Sequence, residues 1–198
     1  MALEEELAAR VRNLITLGLL GLLSGTLTWL VITFVWEPYI GLDWQLKLAG
    51  WELSFSHLTL APGLLFGAIV GWFLWRRRLA QSWQALAYAA AAILSNFIAT
   101  NLAAHLVDSI DSAVFLGMLA GLVGAACLTA LSLPLFAFVR RPAPCLLMVA
   151  AGTVLGGLLG PAMEGSGEYG LGFLVLYSAW QAGYASALSA ALPLRNLP

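Results

Sequence analysis

Hydrophobic and polar positions divide this chain into six long apolar blocks and one short segment with a different rhythm. The blocks run over residues 13–36, 60–75, 79–106, 112–139, 143–163 and 170–192. A helix needs about 20 predominantly apolar residues to cross the hydrocarbon core of a bilayer, and these blocks are of that order. The pattern predicts an all-α integral membrane protein in which residues 1–198 form a single domain, a six-transmembrane-helix bundle.

Between the first two blocks, in the loop 37–59, the period changes from helical to twofold. Apolar and polar residues alternate from Trp44 to Phe55 on either side of Ala49 and Gly50. Taking those two as a turn pairs Leu48 with Trp51, Lys47 with Glu52, Leu46 with Leu53, Gln45 with Ser54 and Trp44 with Phe55. Apolar meets apolar, and opposite charges face each other, so one register satisfies every pair and predicts a β-hairpin. Its apolar face must rest on the bundle mouth or the lipid interface, because an isolated hairpin is marginal in water.

Composition agrees with burial in lipid: 61% of residues are hydrophobic, 10% are charged and the mean hydropathy is +0.90. A soluble domain carries about 25% charged residues. No Gly-rich phosphate loop and no basic-aromatic surface for nucleic acid is present. Eight of the nine Lys/Arg residues fall at alternate gaps between blocks, namely Arg10 and Arg12, then Arg76, Arg77 and Arg78, then Arg140 and Arg141, then Arg195. Lys47 alone falls on the other side. Because Lys and Arg are retained in the cytoplasm during insertion, both termini are predicted to be cytoplasmic and the segments 37–59, 107–111 and 164–169 external. The apolar run after Met1 to Arg12 exceeds a cleavable signal core, which predicts a retained anchor in a cytoplasmic (inner) membrane. Trp36, Trp72, Trp75, Trp83 and Trp180 fall near the expected interfaces, where an amphipathic ring is stable.

Glu37, Asp43, Glu52, Asp108, Asp111, Glu164 and Glu168 gather on the side opposite the arginines. They solvate loops and cap helices, or form a vestibule that concentrates cations. Asp111 with Ser112 has the signature of a helix N-cap. Asp108 and Asp111 share one loop, whereas carboxylate catalysis inside a membrane needs acids brought together from different helices, so no catalytic residue is indicated. Cys127 and Cys145 lack a Cys or His at ligand spacing, which indicates neither a disulfide nor a metal site. The sequence specifies no cofactor.

Candidate binding chemistry concentrates in the third block, at Asn96, Thr100, Asn101 and His105, with Asp108 beyond it. With about 100° per residue, Thr100 falls about 40°, Asp108 about 120°, Asn101 about 140° and His105 about 180° from Asn96. Amides and an imidazole facing lipid would be costly, so this half of the helix must face other helices or a wetted cavity. His57 lies at similar depth to His105, and the two suit hydrogen bonding or proton sensing. With Trp44 and Trp51 of the hairpin, these residues make up the candidate ligand-binding set.

Glycines recur four apart at Gly21 and Gly25, at Gly63, Gly67 and Gly71, at Gly117 and Gly121, and at Gly152, Gly156 and Gly160. Such stripes let helix backbones approach closely, within the bundle or against another membrane subunit or a second copy of the chain. Six spans, cytoplasmic termini and a long structured first outer loop resemble the architecture of the substrate-binding subunits of energy-coupling-factor vitamin transporters. That resemblance implies a docking stripe on the first helix. Gly21-Leu-Leu-Ser-Gly25 stands here where that family carries alanines, and architecture alone assigns no family. The leading expectation is a small-solute-binding or transport protein with an outward-facing polar cavity. The alternative is a non-catalytic structural or assembly subunit of a larger membrane complex, with an intramembrane enzyme third.

The orientation is testable in a background lacking both cysteines. A cysteine at Ser54 reacts with an impermeant maleimide on intact cells, and one at Arg77 only after permeabilisation. External labelling at position 77 contradicts the six-span order.

Overall fold

The computed structural model describes residues 2–36, 44–48, 51–166 and 170–193. Ala49, Gly50, Glu37, Asp43, Glu168 and Arg195, which entered the turn and charge arguments, lie outside the described residues. Helix α1 spans Ala2–Val31 and continues into a π-helical turn, Ile32–Trp36. Strands β1 (Trp44–Leu48) and β2 (Trp51–Phe55) follow, then α2 (His57–Arg76), α3 (Ser82–Leu106) and α4 (Ala113–Ser132). A 3-10 turn, Ala137–Arg140, leads into α5 (Pro142–Gly156), α6 (Leu159–Ser166) and α7 (Leu171–Ser189).

Among the described residues five segments are long and apolar enough to cross a membrane: Leu3–Val35, His57–Arg76, Ser82–Leu106, Ala113–Ser132 and Pro142–Glu164. The sixth expected span is α7, a helix of 19 residues whose apolar character is diluted by Tyr177, Ser178, Gln181, Tyr184, Ser186 and Ser189. Ser178, Gln181 and Tyr184 are buried against the other helices, so much of that polarity faces protein.

Element boundaries differ from the sequence expectation for physical reasons. The charged segment before residue 13 is helical and continuous with the first span, and Arg10 pairs with Glu6 one turn away at 3.0 Å. The fourth span ends at Ser132 rather than 139, because Pro134 cannot donate a backbone hydrogen bond and the chain turns into the 3-10 segment. The fifth block is two helices. At Gly157 and Leu158 the N–H groups bond to Val154 and Leu155, three residues back, instead of continuing the α pattern.

Close glycine contacts assemble the helices in antiparallel pairs. Gly21 and Gly25 of α1 press on the backbone of α7 at Gln181 and Ser178. Gly63, Gly67 and Gly71 of α2 meet α3 at Ala92, Ala89 and Ala85 in descending order. Gly117 and Gly121 of α4 meet Gly156 and Gly152 of α5 reciprocally. Lipid tails are as apolar as leucine, so close backbone approach and dispersion, rather than expulsion of water, hold such pairs together. Further contacts of α1 with α2, α3 with α4 and α5 with α7 close the pairs into a ring. All four stripes are thus occupied within the chain, including the one on α1 that the transporter resemblance would assign to docking.

One end of the ring is solid. Toward the turns bearing Arg76, Arg77, Arg78, Arg140 and Arg141, the buried side chains of Tyr88, Phe136, Val139, Leu74 and Leu188 fill the interior. Tyr88 and Phe136 pack with ring centroids 5.7 Å apart, and Phe136 stacks on Phe138 at 5.2 Å. The opposite end carries the hairpin.

A Cβ added at Gly67 would lie 2.6 Å from the Ala89 Cα and 2.9 Å from the Ala92 Cβ, atoms that cannot move without separating α2 from α3. Gly67→Leu is therefore expected to lower stability by about 1–3 kcal/mol or more in a thermal or denaturant melt. Unchanged melting would mean this stripe does not pack as described.

Candidate functional site

The site begins with a proline. Pro62 lies inside α2 and has no N–H, so the carbonyl of Leu58, one turn earlier, loses its helical donor. Asn96 on α3 replaces it, its Nδ2 donating to Leu58 O at 3.1 Å and to Thr59 O at 2.8 Å. Gly63, next to the proline, lets α3 approach closely enough for that reach.

Beside this contact a cavity of about 180 Å³ occupies the hairpin end of the ring. Its walls are Pro62 and Phe66 of α2, Asn96, Ala99 and Thr100 of α3, Gly117, Gly121 and Gly124 of α4, Gly156 and Leu159 at the break in the fifth span, and Tyr177, Trp180 and Gln181 of α7. It exists because glycine and alanine hold the backbones together there while supplying no side chain to fill the centre. The lining is mainly apolar, and none of the described residues in it is charged.

Gln181 and Ser95 are the most deeply buried polar residues of the lining, each at 2% exposure. The Gln181 Nε2 lies 3.4 Å from Pro62 O and 3.4 Å from Thr28 Oγ1. A backbone carbonyl can only accept, so Pro62 fixes which way the amide is turned. The other end, Oε1, is buried without a hydrogen-bond partner among the described residues. Neighbouring Trp180 donates Nε1–H to Gly152 O at 3.0 Å and stacks on Tyr184 with centroids 5.6 Å apart. Phe66 meets the Trp180 ring edge-on at 6.3 Å.

A second polar cluster fastens the hairpin to α3. The strands pair in the expected register, from Trp44 opposite Phe55 to Leu48 opposite Trp51. Asn101 presents its amide to the outer edge of β2 as another strand would: Oδ1 accepts Ser54 N–H at 2.6 Å and Nδ2 donates to Ser54 O at 3.1 Å. His105 stacks on Trp51 with centroids 4.1 Å apart, and Phe97 packs on Phe55 at 4.6 Å. On the opposite face Lys47 and Glu52 form an ion pair. The Lys47 hydrogen bond, then its charge, holds the Glu52 carboxyl below its ordinary range, and Glu52 raises Lys47 by the same two causes. The attraction is therefore lost as acid protonates Glu52 below that lowered value, or as base deprotonates Lys47 above its raised one. Both groups are exposed, so salt screens the pair.

The eight sequence candidates thus separate. Asn96 and Thr100 line the cavity. Asn101, His105 and Trp51 meet at the hairpin contact. Trp44 lies on β1, 69% exposed, with its edge toward Phe55. His57 opens α2 after Ser56, whose N–H donates to Thr59 Oγ1, and Asp108 is exposed in the turn beyond α3. Asn101 sits about 140° around the helix from Asn96, and that rotation sends the two amides to different neighbours. No described hairpin residue lines the cavity. Gln181 and its partner Thr28 were not among the candidates, although a glutamine in the middle of an apolar block is a signal of inward placement.

Asn101→Leu removes both edge bonds and leaves Ser54 N–H and C=O to find water. It is expected to cost about 1–3 kcal/mol and to raise hydrogen exchange across 51–55 while the helices stay protected. Unchanged exchange there would contradict the clamp. Comparison with protein-family models, with curated proteins and with solved structures gives no match, so the functional reading rests on this geometry.

Proposed function

We propose that the chain is a six-span protein of a cytoplasmic membrane, with both termini inside, that binds or transports a small solute in the cavity at the hairpin end of its ring. The observation that carries this reading is an apolar hollow bordered by a break in the fifth span. Non-helical backbone at membrane depth is tolerated where it is buried or lines a cavity, and interrupted helices commonly border transporter binding sites. The placement of Asn96 and Thr100 on the wall supports it further. The largely apolar lining favours a solute less polar than the third block alone suggested.

A second reading, membership in a larger membrane assembly, is supported by a different surface. Leu3, Leu7, Val11 and Leu14 are exposed at helical spacing on the first turns of α1, partly ahead of the apolar block. One experiment addresses both readings. Gently purified protein is denatured and its released small molecules and co-purifying polypeptides are identified by mass spectrometry, beside a Thr100→Phe variant that fills the hollow. The solute reading expects a small molecule from the parent protein that falls at least tenfold in the folded variant. Identical profiles from both proteins would contradict it, and a stoichiometric second polypeptide would favour the assembly reading.

A further inference from the structure

We infer that the arginine end of the ring holds the phosphate of an anionic phospholipid headgroup between the α2–α3 turn and the turn that leads into α5. This is independent of the solute reading above. Arg76, Arg77 and Arg78 stand at the first turn, Arg140 and Arg141 at the second. Both turns are fixed to one floor: Gln84 Nε2, at the start of α3, donates to Leu135 O at 2.6 Å, and Leu79, Leu133 and Leu135 pack against the same buried cluster. Five cations are thereby held at one end of the molecule, and none forms an ion pair with another described residue. The acids of that end, Glu4, Glu5 and Glu6, stand on the extension of α1, where Arg10 takes Glu6. Orientation during insertion accounts for the sign of the charge on this face but is indifferent to side-chain geometry.

That geometry centres on Arg78, the one non-glycine residue with positive φ among the described residues, at 56°. It closes α2, its N–H bonding to Trp75 O and that of Leu79 to Leu74 O, each at 2.9 Å. Glycine is the usual left-handed residue of such a helix end, because it has no Cβ to clash. What arginine adds there, against that strain, is its guanidinium. Its neighbours are preset in the same way. The Arg77 guanidinium lies over the Phe73 ring, 5.5 Å from its centroid, and Arg140 donates Nε–H to Leu133 O at 3.1 Å, which leaves the terminal nitrogens of its fork for a ligand. A guanidinium fork matches two phosphate oxygens at once and stays charged at physiological pH. Depth points to a lipid rather than a soluble anion. Trp72, Trp75 and Trp83 are exposed around these turns, and Trp83 is anchored by Nε1–H donation to Gln81 Oε1 at 2.7 Å. Exposed tryptophans mark the headgroup layer, so the arginines beside them stand at the level of lipid phosphates.

The test titrates the delipidated full chain in neutral detergent with phosphatidylglycerol or phosphatidylcholine, which share the phosphate and differ in net charge, and reads bound lipid by native mass spectrometry. Inorganic phosphate is the third arm. The first phosphatidylglycerol is expected to bind at least tenfold more tightly than phosphatidylcholine, and millimolar phosphate not to displace it. Arg78→Gly is expected to weaken it about fivefold, the factor equivalent to about 1 kcal/mol per basic residue at an anionic surface. The same variant is expected to raise the melting temperature of the lipid-free protein, because the left-handed strain is relieved. A merely structural arginine would leave lipid affinity unchanged. Arg141→Gln, from the other turn, is expected to weaken binding by a similar factor and decides the question should Arg78→Gly fail to fold, whereas Arg12→Gln on the α1 extension is expected to leave it within about twofold. Equal affinity for the two lipids, unchanged binding in Arg78→Gly or Arg141→Gln, or a loss from Arg12→Gln as large as theirs would overturn the site. Displacement by millimolar phosphate would assign the arginines to a soluble anion and overturn the lipid headgroup.

Discussion

No backbone N–H or C=O can be left without a partner in a hydrocarbon environment, and the polar side chains of α3 answer that constraint. Pro62 opens the α2 ladder, and the Asn96 amide closes it from the neighbouring helix. The free edge of β2 presents Ser54, and the Asn101 amide completes it as a further strand would. Amides suit both positions because each carries a donor and an acceptor at strand-like separation. The third helix therefore holds its neighbours through their main chains. Interhelical bonds of this kind contribute only about 0.6–2 kcal/mol each, but without them the proline and the strand edge would each carry a penalty.

The hollow is a by-product of the same packing. Antiparallel pairs joined by glycine bring backbones into contact at the ring's perimeter, which leaves the centre to be filled by whatever large side chains remain. At the arginine end these are Tyr88, Phe136 and Leu74. At the hairpin end the positions facing inward include Gly117, Gly121, Gly124, Ala99 and Gly156, and the centre stays open. Gln181 lines the hollow with its Nε2 used by protein and its Oε1 enclosed without a hydrogen-bond partner among the described residues.

Much of the fold was legible because it follows from period and charge. Twofold alternation with Lys47 opposite Glu52 admits one hairpin register, and that register is present. Apolar blocks located the helices, but the break after Gly156 was invisible, since glycine serves close packing and helix termination equally and hydropathy does not distinguish them. The polar half of α3 was recognised as inward-facing, yet periodicity could not say that Asn101 meets a strand edge and Asn96 a proline-opened turn. Those partners come from elsewhere in the chain. Gln181 was missed because the block 170–192 reads as one more apolar span with Trp180 near an interface, and only the contact with Pro62 reveals how its amide is turned.

The central claim, an open apolar hollow at the hairpin end of a ring packed solid at the other, is tested most directly by crystals of the protein pressurised with xenon. Xenon occupies dry apolar cavities of this size without needing any specific contact. The structure predicts anomalous density among Phe66, Ala99, Gly121 and Trp180, with none in the arginine end. Xenon found only on the lipid-facing surface, or between Tyr88 and Phe136, would contradict it.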